Sequence, residues 1–362
     1  MNYFNTLHRY ISGNNEGMVG KISQHNDIFI ENMDNVPKAN EIISKELLSK
    51  LDDKEIVAKH RGTMGIIYQG HYKEKKISIK VIPENIKKII NEETSILNIA
   101  YLFGIINKGI IDLSEDLQLR IKNELKMDLE YNNYYLVHNN PNIKLFKSRT
   151  VNVIDFLCDS DHFVYEYEDH DMINKYIPIL SENKRIDICI RIISIYFQLQ
   201  SDNIFMGDLN FGNFLYDFNN DEIILIDYGC ILKTTENFRI SMKILLFNFL
   251  YAENTIYLND TFCNGSHKCK NLLDQIHYIL GDREINFSEI QLDFGIFDFN
   301  SISGSKFVPE SLTVLRSISH LLLLAKKMEI NYNIRSTIEK NVQFDGDLSK
   351  YQPSDINYLI SL

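Results

Sequence analysis

Between Phe205 and Gly229 the chain reads FMGDLNFGNFLYDFNNDEIILIDYG, and no other stretch narrows its fold as far. Asp208 and Asn213 stand five residues apart, and Asp227-Tyr228-Gly229 follows them. Asp217 to Asp221 (DFNND) is a run of turn formers, and Glu222 to Ile226 (EIILI) is a short, β-branched apolar run of strand character. A hairpin built on that turn brings Asp227 back towards the segment that carries Asp208 and Asn213. An acid, an amide and a second acid in this order are the parts that phosphoryl transfer uses. The first acid orients the acceptor, the amide helps to hold magnesium, and the last acid bridges metal and phosphates. Each short pattern alone is common by chance. Their order, the hairpin, and the small or polar Gly207, Asn210 and Gly212 among them argue against coincidence.

The D-x-x-x-x-N spacing is that of a kinase catalytic loop, and D-Y-G is a D-F-G with one aromatic exchanged for another. Upstream, residues 41–52 have apolar residues at helical spacing and give way to the strand-like EIVAKHRGTMGIIYQGHY and KKISIKVI, with a turn at Lys73 to Lys75. Lys80, within Ile77-Ser78-Ile79-Lys80-Val81, fits the V-A-I-K pattern, whose ammonium reaches the α- and β-phosphates. An ordinary exposed strand lysine would instead interrupt an otherwise apolar run. Gly62-Thr63-Met64-Gly65 is not G-x-G-x-x-G, and no G-K-[ST] follows any glycine-rich loop. Such a loop lets backbone amides approach phosphates, or simply turns the chain. The Lys80 ammonium needs a carboxylate to hold it, and two are candidates, Glu93 and Glu130. Glu93 is rather close in sequence for a kinase. His162-Phe163-Val164-Tyr165-Glu166-Tyr167 ends where a kinase hinge belongs, and backbone groups near Glu166 and Tyr167 are expected to pair with adenine.

Asp208 to Leu215 (DLNFGNFL) also resembles the D-P-H-P-G-N-[IVL]-L block of the UbiB/ADCK atypical kinases, the aarF-domain or ABC1-like family, and Asp227-Tyr228-Gly229 resembles the end of their L-[IL]-D-[FY]-G strand. Met206 stands where that family has His, and Leu209, Asn210 and Phe211 replace Pro, His and Pro. Gly62 to Tyr68 is similar to the family's A-S-I-G-Q-V-H segment, with Gly65 the most direct match. Glu124, Leu125, Glu130 and Asn133 fall in register with its E-L-D-x-x-x-E-A-x-N helix, and this resemblance favours Glu130 over Glu93 as the partner of Lys80. Lys21 and Gln24 resemble the K-x-G-Q motif of an N-terminal extension folded over the active site, with Ser23 in place of Gly. Arg316 matches the P-x-x-x-x-x-x-R of a C-terminal helix. The resemblance implies that the Gly62, Thr63 and Gly65 loop sets nucleotide preference. It also implies that Lys21 and Gln24 obstruct a large protein substrate, leaving a small molecule, a lipid or water as acceptor.

Composition excludes several classes. With 44% hydrophobic and 24% charged residues the chain is an ordinary globular one, and a net charge of −11 argues against a general nucleic-acid backbone binder. Five scattered cysteines and no secretory signal point to a reduced, intracellular setting. Cys263, His267 and Cys269 lie close together but lack a fourth zinc ligand of suitable spacing. The apolar runs Ile244 to Tyr251 and Leu321 to Ala325 are too short to span a bilayer, which leaves peripheral membrane contact open.

The expected architecture is α+β, a protein kinase-like two-lobe fold with an N-terminal helical extension. Residues 1–50 form the extension. Residues 51–168 form a small, mainly β N-lobe with a helical insertion, 169–345 a helical C-lobe and 346–362 a tail. The expected ligands are ATP or ADP with Mg2+, the nucleotide meeting Gly62, Thr63, Gly65, Lys80, Glu166 and Tyr167, and the metal meeting Asn213 and Asp227. Asp208, Lys80 and Glu130 carry the chemistry. A pseudokinase that binds nucleotide without turnover, motivated by Met206, and a conventional Ser/Thr protein kinase, favoured by Gly62, are the alternatives.

Overall fold

The computed structural model describes residues 36–52, 56–61, 65–84, 86, 88, 125–209, 211–233, 245–251, 255–256, 267–289 and 309–341. The chain divides into two compact units, with the breaks at Asn132/Asn133, Thr150/Val151 and Asp169/His170.

In the first unit, β1 (Val57–Arg61), β2 (Ile66–Tyr72), β3 (Lys75–Val81) and β5 (His162–Glu166) make one antiparallel sheet in the order β1-β2-β3-β5. The β2–β3 connection is as short as a hairpin allows. Tyr72 faces Lys75, and Lys73 (φ 47°) and Glu74 (φ 64°) between them both take the left-handed backbone that a two-residue turn of this hand demands. Ile77, Ile79 and Val81 point to one face of β3, where they pack with Ile66 and Tyr68 of β2 and Val164 of β5. Two short helices cover that face. α1 (Ala39–Ile42) and α2 (Lys45–Lys50) contribute Ala39 and Leu47, with Ile43 from the link between them. Ser44 caps α2 by accepting the Leu47 N–H, and its own N–H donates to Nε2 of buried His162 on β5. The strand period of two therefore sends Ser78 and Lys80 to the opposite face of β3.

In the second unit, β4 (Ser148–Thr150) lies parallel to β9 (Glu222–Leu225), β9 pairs antiparallel with β8 (Phe214–Asp217), and β6 (Asp171–Met172) closes the order β4-β9-β8-β6. The turn read at DFNND forms as expected, with Asp217 Oδ1 accepting the backbone N–H groups of Asn219 and Asn220. β7 (Ile204–Met206) pairs with β10 (Ile231–Lys233) on either side of this hairpin in sequence. α3 (Met127–His138) contains the first break, and α4 (Glu182–Ser201) is capped by Ser181 accepting the Lys184 N–H. α4 is rich in β-branched residues of modest helix propensity, and burial outweighs that deficit. Ile188, Ile192, Ile193, Ile195, Phe197 and Leu199 are all inside. Further helices are α5 (His267–Leu280), α6 (Pro309–Lys327) and α7 (Ile334–Asn341).

Ahead of the strand Ser148–Thr150, Pro141–Phe146 is a 3-10 turn, because Pro141 opens it and the Asn140 side chain accepts the Asn142 N–H. No helix among the described residues is long and apolar enough to cross a membrane.

Candidate active site

Lys80 sits on an interior strand, facing Ile67 of β2 and Phe163 of β5, so its backbone is fixed on both sides. Its Nζ lies 2.6 Å from Oε1 of Glu130, in the first turn of α3. The Glu130 side chain is 1% exposed and that of Lys80 16%. Burial at this level requires a cation for the carboxylate, and β3 supplies it. Of the two carboxylates weighed from sequence, Glu130 is thus the one placed beside Lys80; Glu93 lies outside the described residues. Gly65 enters β2 beside the same strand. A Cβ there would come within 3.1 Å of the Val81 carbonyl oxygen and 3.8 Å of Lys80 Cε, so glycine permits a close approach of backbone to the Lys80 strand. Gly62 and Thr63 lie outside the described residues, as do Lys21 and Gln24.

At Glu166 and Tyr167, where backbone groups are expected to pair with adenine, the two N–H groups have backbone acceptors. The Glu166 N–H donates to the Asn152 carbonyl at 2.8 Å, and the Tyr167 N–H donates to the Lys76 carbonyl at 3.0 Å. Both amides are already committed to neighbouring backbone, so neither N–H is available to a base edge. The Glu166 side chain is occupied as well. Lys75 Nζ at 2.5 Å and Asn152 Nδ2 at 3.0 Å bind its carboxylate and hold it below its ordinary pKa, the hydrogen bond from Lys75 being the larger cause.

In the second unit, β7 delivers Asp208. After Met206 the chain turns at Gly207, whose N–H donates to the Cys230 carbonyl at 2.7 Å. Asp208 and Asn213 are both buried, and Asn213 Nδ2 donates to the Asp208 backbone carbonyl at 2.8 Å. The Asn213 carbonyl in turn accepts the Ile226 N–H at 3.1 Å, which ties the loop to the residue before Asp227. Asp227 Oδ1 accepts the Gly229 N–H at 3.0 Å. Tyr228 is fully buried, and its hydroxyl donates to the Leu225 carbonyl at 2.5 Å, which explains how tyrosine is accommodated where phenylalanine is usual. Its own carbonyl accepts from Asn133 Nδ2 at 3.0 Å, and its ring meets Tyr134 edge to face.

The donor chemistry fits magnesium. The cation prefers hard oxygen ligands, keeps several waters, and is usually held by one or two protein groups plus phosphates. Asp227 offers a carboxylate. Because the Asn213 amide nitrogen is committed to the Asp208 carbonyl, its Oδ1 is the atom left to face a cation.

Two residues that sequence reading missed also reach this loop. α6 presents Ser317 and His320, one helical turn apart and both buried. Ser317 Oγ donates to the Met206 carbonyl at 2.6 Å, while His320 Nδ1 accepts the Leu209 N–H at 3.3 Å and lies 3.4 Å from Asp208 Oδ1. Their only signal in sequence is a pair of polar residues at i and i+3 on the apolar face of a helix. Arg316, read from the same helix, has no described side chain. His267 opens α5, and Cys263 lies outside the described residues.

A four-stranded antiparallel sheet carrying a glutamate-paired lysine, followed by a loop and hairpin carrying Asp208, Asn213 and Asp227, defines a protein kinase-like α+β fold. One solved structure agrees with this fold. Rv3197 of Mycobacterium tuberculosis, determined in complex with erythromycin, is similar with a TM-score of 0.52 at 12% identity, over 85% of this chain and 83% of that one. The Cydia pomonella granulovirus kinase PK-1 aligns with a TM-score of 0.33 at 13% identity, over 82% of this chain and 95% of that one. At such identities the likeness of Rv3197 bears on fold alone. No curated protein matches the chain. The model of the ABC1 atypical kinase-like domain matches residues 43–258, more than half of the chain, and the chain belongs to that family. The match bears out the resemblance to ABC1-like atypical kinases read from the sequence.

Proposed function

We propose that the protein is an atypical kinase or ATPase that binds a magnesium nucleotide and transfers its γ-phosphoryl group to a small molecule, a lipid or water. The observation that carries this reading is the Lys80–Glu130 pair, a buried carboxylate holding an ammonium that keeps 16% of its side chain exposed. Lys80, fixed by β2 and β5 and by Glu130, neutralises phosphate oxygens. Asp227 and Asn213 hold the magnesium, which when bound offsets the charge of the phosphates. Asp208 orients the acceptor hydroxyl or water and takes up its proton. Lys21 and Gln24, by their resemblance to the family's N-terminal motif, favour a small acceptor over a protein.

The test is thermal unfolding with and without magnesium and ATP or ADP, on wild type and Asp227→Asn, followed by phosphate release from the same samples. Ligand at about 100 times its Kd adds about 2.7 kcal/mol, a shift of several degrees. A magnesium-dependent rise lost in Asp227→Asn, accompanied by phosphate release, is expected. The same rise without release would identify a nucleotide-binding pseudokinase, and no rise would refute the nucleotide site.

A further inference from the structure

Nothing in the proposed chemistry uses His320, yet it is the buried titratable side chain placed against the acceptor-orienting acid. Its side chain is 5% exposed and that of Asp208 4%. Nδ1 lies 3.3 Å from the Leu209 backbone nitrogen and 3.4 Å from Asp208 Oδ1. One ring nitrogen therefore serves two neighbours that make opposite demands. With its lone pair it accepts the Leu209 N–H; carrying a proton it donates to the Asp208 carboxylate. In the first state the imidazole, presented by α6, holds the main chain at Leu209, and in the second it bonds the Asp208 carboxylate directly. Ser317, one turn earlier on α6, holds the same loop from its other end through the Met206 carbonyl at 2.6 Å. The Asn213 amide secures the Asp208 main chain but leaves its carboxylate to other groups. Rotation of that carboxylate about its two side-chain bonds must be restricted if it is to meet an acceptor in one orientation.

We propose that His320 is a positioning residue for Asp208, its Nδ1 setting the orientation of the carboxylate that receives the acceptor proton. The inference rests on the phosphoryl-transfer reading for its catalytic consequence but not for the contact itself. In the transfer step the acceptor oxygen bonds to the γ-phosphorus as the bond from phosphorus to the β–γ bridging oxygen breaks. The electron pair of that bond leaves with the nucleoside diphosphate, and the acceptor proton passes to Asp208. His320 touches none of the reacting atoms.

Three variants separate its role from mere packing. His320→Phe keeps the ring and removes both nitrogens, His320→Asn keeps an amide near the place of Nδ1, and His320→Gln carries its amide one atom further out. Phosphate release with ATP should show kcat reduced about 100-fold in His320→Phe and His320→Gln. The KM for ATP should be unchanged, and most of kcat should return in His320→Asn. Melting temperatures of the same samples report folding, and if His320→Phe does not fold, His320→Gln carries the comparison. A second readout needs no turnover. In protein labelled with 15N-histidine, the imidazole resonance missing from the His320 variants should move in Asp208→Asn. Retained kcat in folded His320→Phe or His320→Gln, His320→Asn as slow as the others at equal melting temperature, or an imidazole resonance indifferent to Asp208→Asn would each overturn the proposal. Absence of turnover in wild type would instead remove the phosphoryl-transfer reading, and the resonance alone would then decide whether His320 holds Asp208.

Discussion

Removing the charge of Glu130 tests whether the Lys80 pair is built for stability or for ligand. Glu130→Gln keeps the size of the side chain and an oxygen that can accept from Lys80 Nζ, but leaves the ammonium facing a neutral amide. Breaking a buried pair by removing one partner costs about 3 to 5 kcal/mol. Lys80 retains 16% exposure, so the lower end applies, about 3 kcal/mol. At about 1 to 2 °C per kcal/mol for a chain of 362 residues, the melting temperature should fall by roughly 3 to 6 °C. Lys80→Met leaves a carboxylate that is 1% exposed without its cation and should cost more, about 5 kcal/mol. The double variant removes both charges and should be more stable than the sum of the single losses by at least about 1 kcal/mol in urea unfolding at pH 7. It should nonetheless show no rise in melting temperature with magnesium and ATP. Additive single losses would refute the claim that the two charges stabilise each other. A double variant that still responds to nucleotide would refute the assignment of Lys80 to the phosphates.

Other contacts make separate predictions. Burial by itself would raise the Asp221 carboxyl, but hydrogen bonds from Arg191, Lys184, Tyr216 and Lys147 outweigh it and hold the group well below the usual carboxylate range. A depressed folded value means that its stabilisation is complete above the unfolded pKa of about 3.9 and is lost as pH falls below it. Asp221→Asn, which suits the left-handed backbone at φ 57°, should cost about 1.5 to 3 kcal/mol at pH 7. That deficit should shrink in urea titrations below about pH 4, and one independent of pH would contradict the assignment. Replacing Lys73 with Asn and Glu74 with Gly relieves two left-handed non-glycine residues and should stabilise the β2–β3 hairpin by about 1 kcal/mol; a lower melting temperature would contradict the turn geometry. Tyr228→Phe removes the donor to the Leu225 carbonyl and should cost about 1 kcal/mol in urea while leaving the nucleotide response intact, whereas an unchanged urea midpoint would mean that the bond contributes nothing.

The local geometry of residues 205–229 was legible in sequence because neighbouring residues dictate it. Turn formers at Asp217 to Asp221 and the β-branched run after them dictate a hairpin, and hairpin pairing brings Leu225 opposite Phe214, beside Asn213. Lys80 was legible for the same reason, since strand alternation alone separates it from Ile77, Ile79 and Val81. Glu130 needed more than spacing. Two carboxylates met the chemical requirement, and only the docking of α3 against β3 places one of them at 2.6 Å. The commitment of the Glu166 and Tyr167 amides was hidden too, because their acceptors, Asn152 and Lys76, belong to other segments of the first unit.

His320 shows the limit most plainly. It lies 111 residues from Leu209, on a helix whose apolar pattern defines a buried stripe but not what the stripe meets. Periodicity determines which residues of an element face inward. The rotation and height at which two elements pack then select the atoms that touch, and that choice depends on side-chain volumes throughout the core. The sequence by itself therefore determined the kinase-like fold, the order of its parts and the residues proposed to bind phosphate and metal. Only the tertiary structure decided which carboxylate holds Lys80, which backbone amides are already taken, and which helix reaches Asp208.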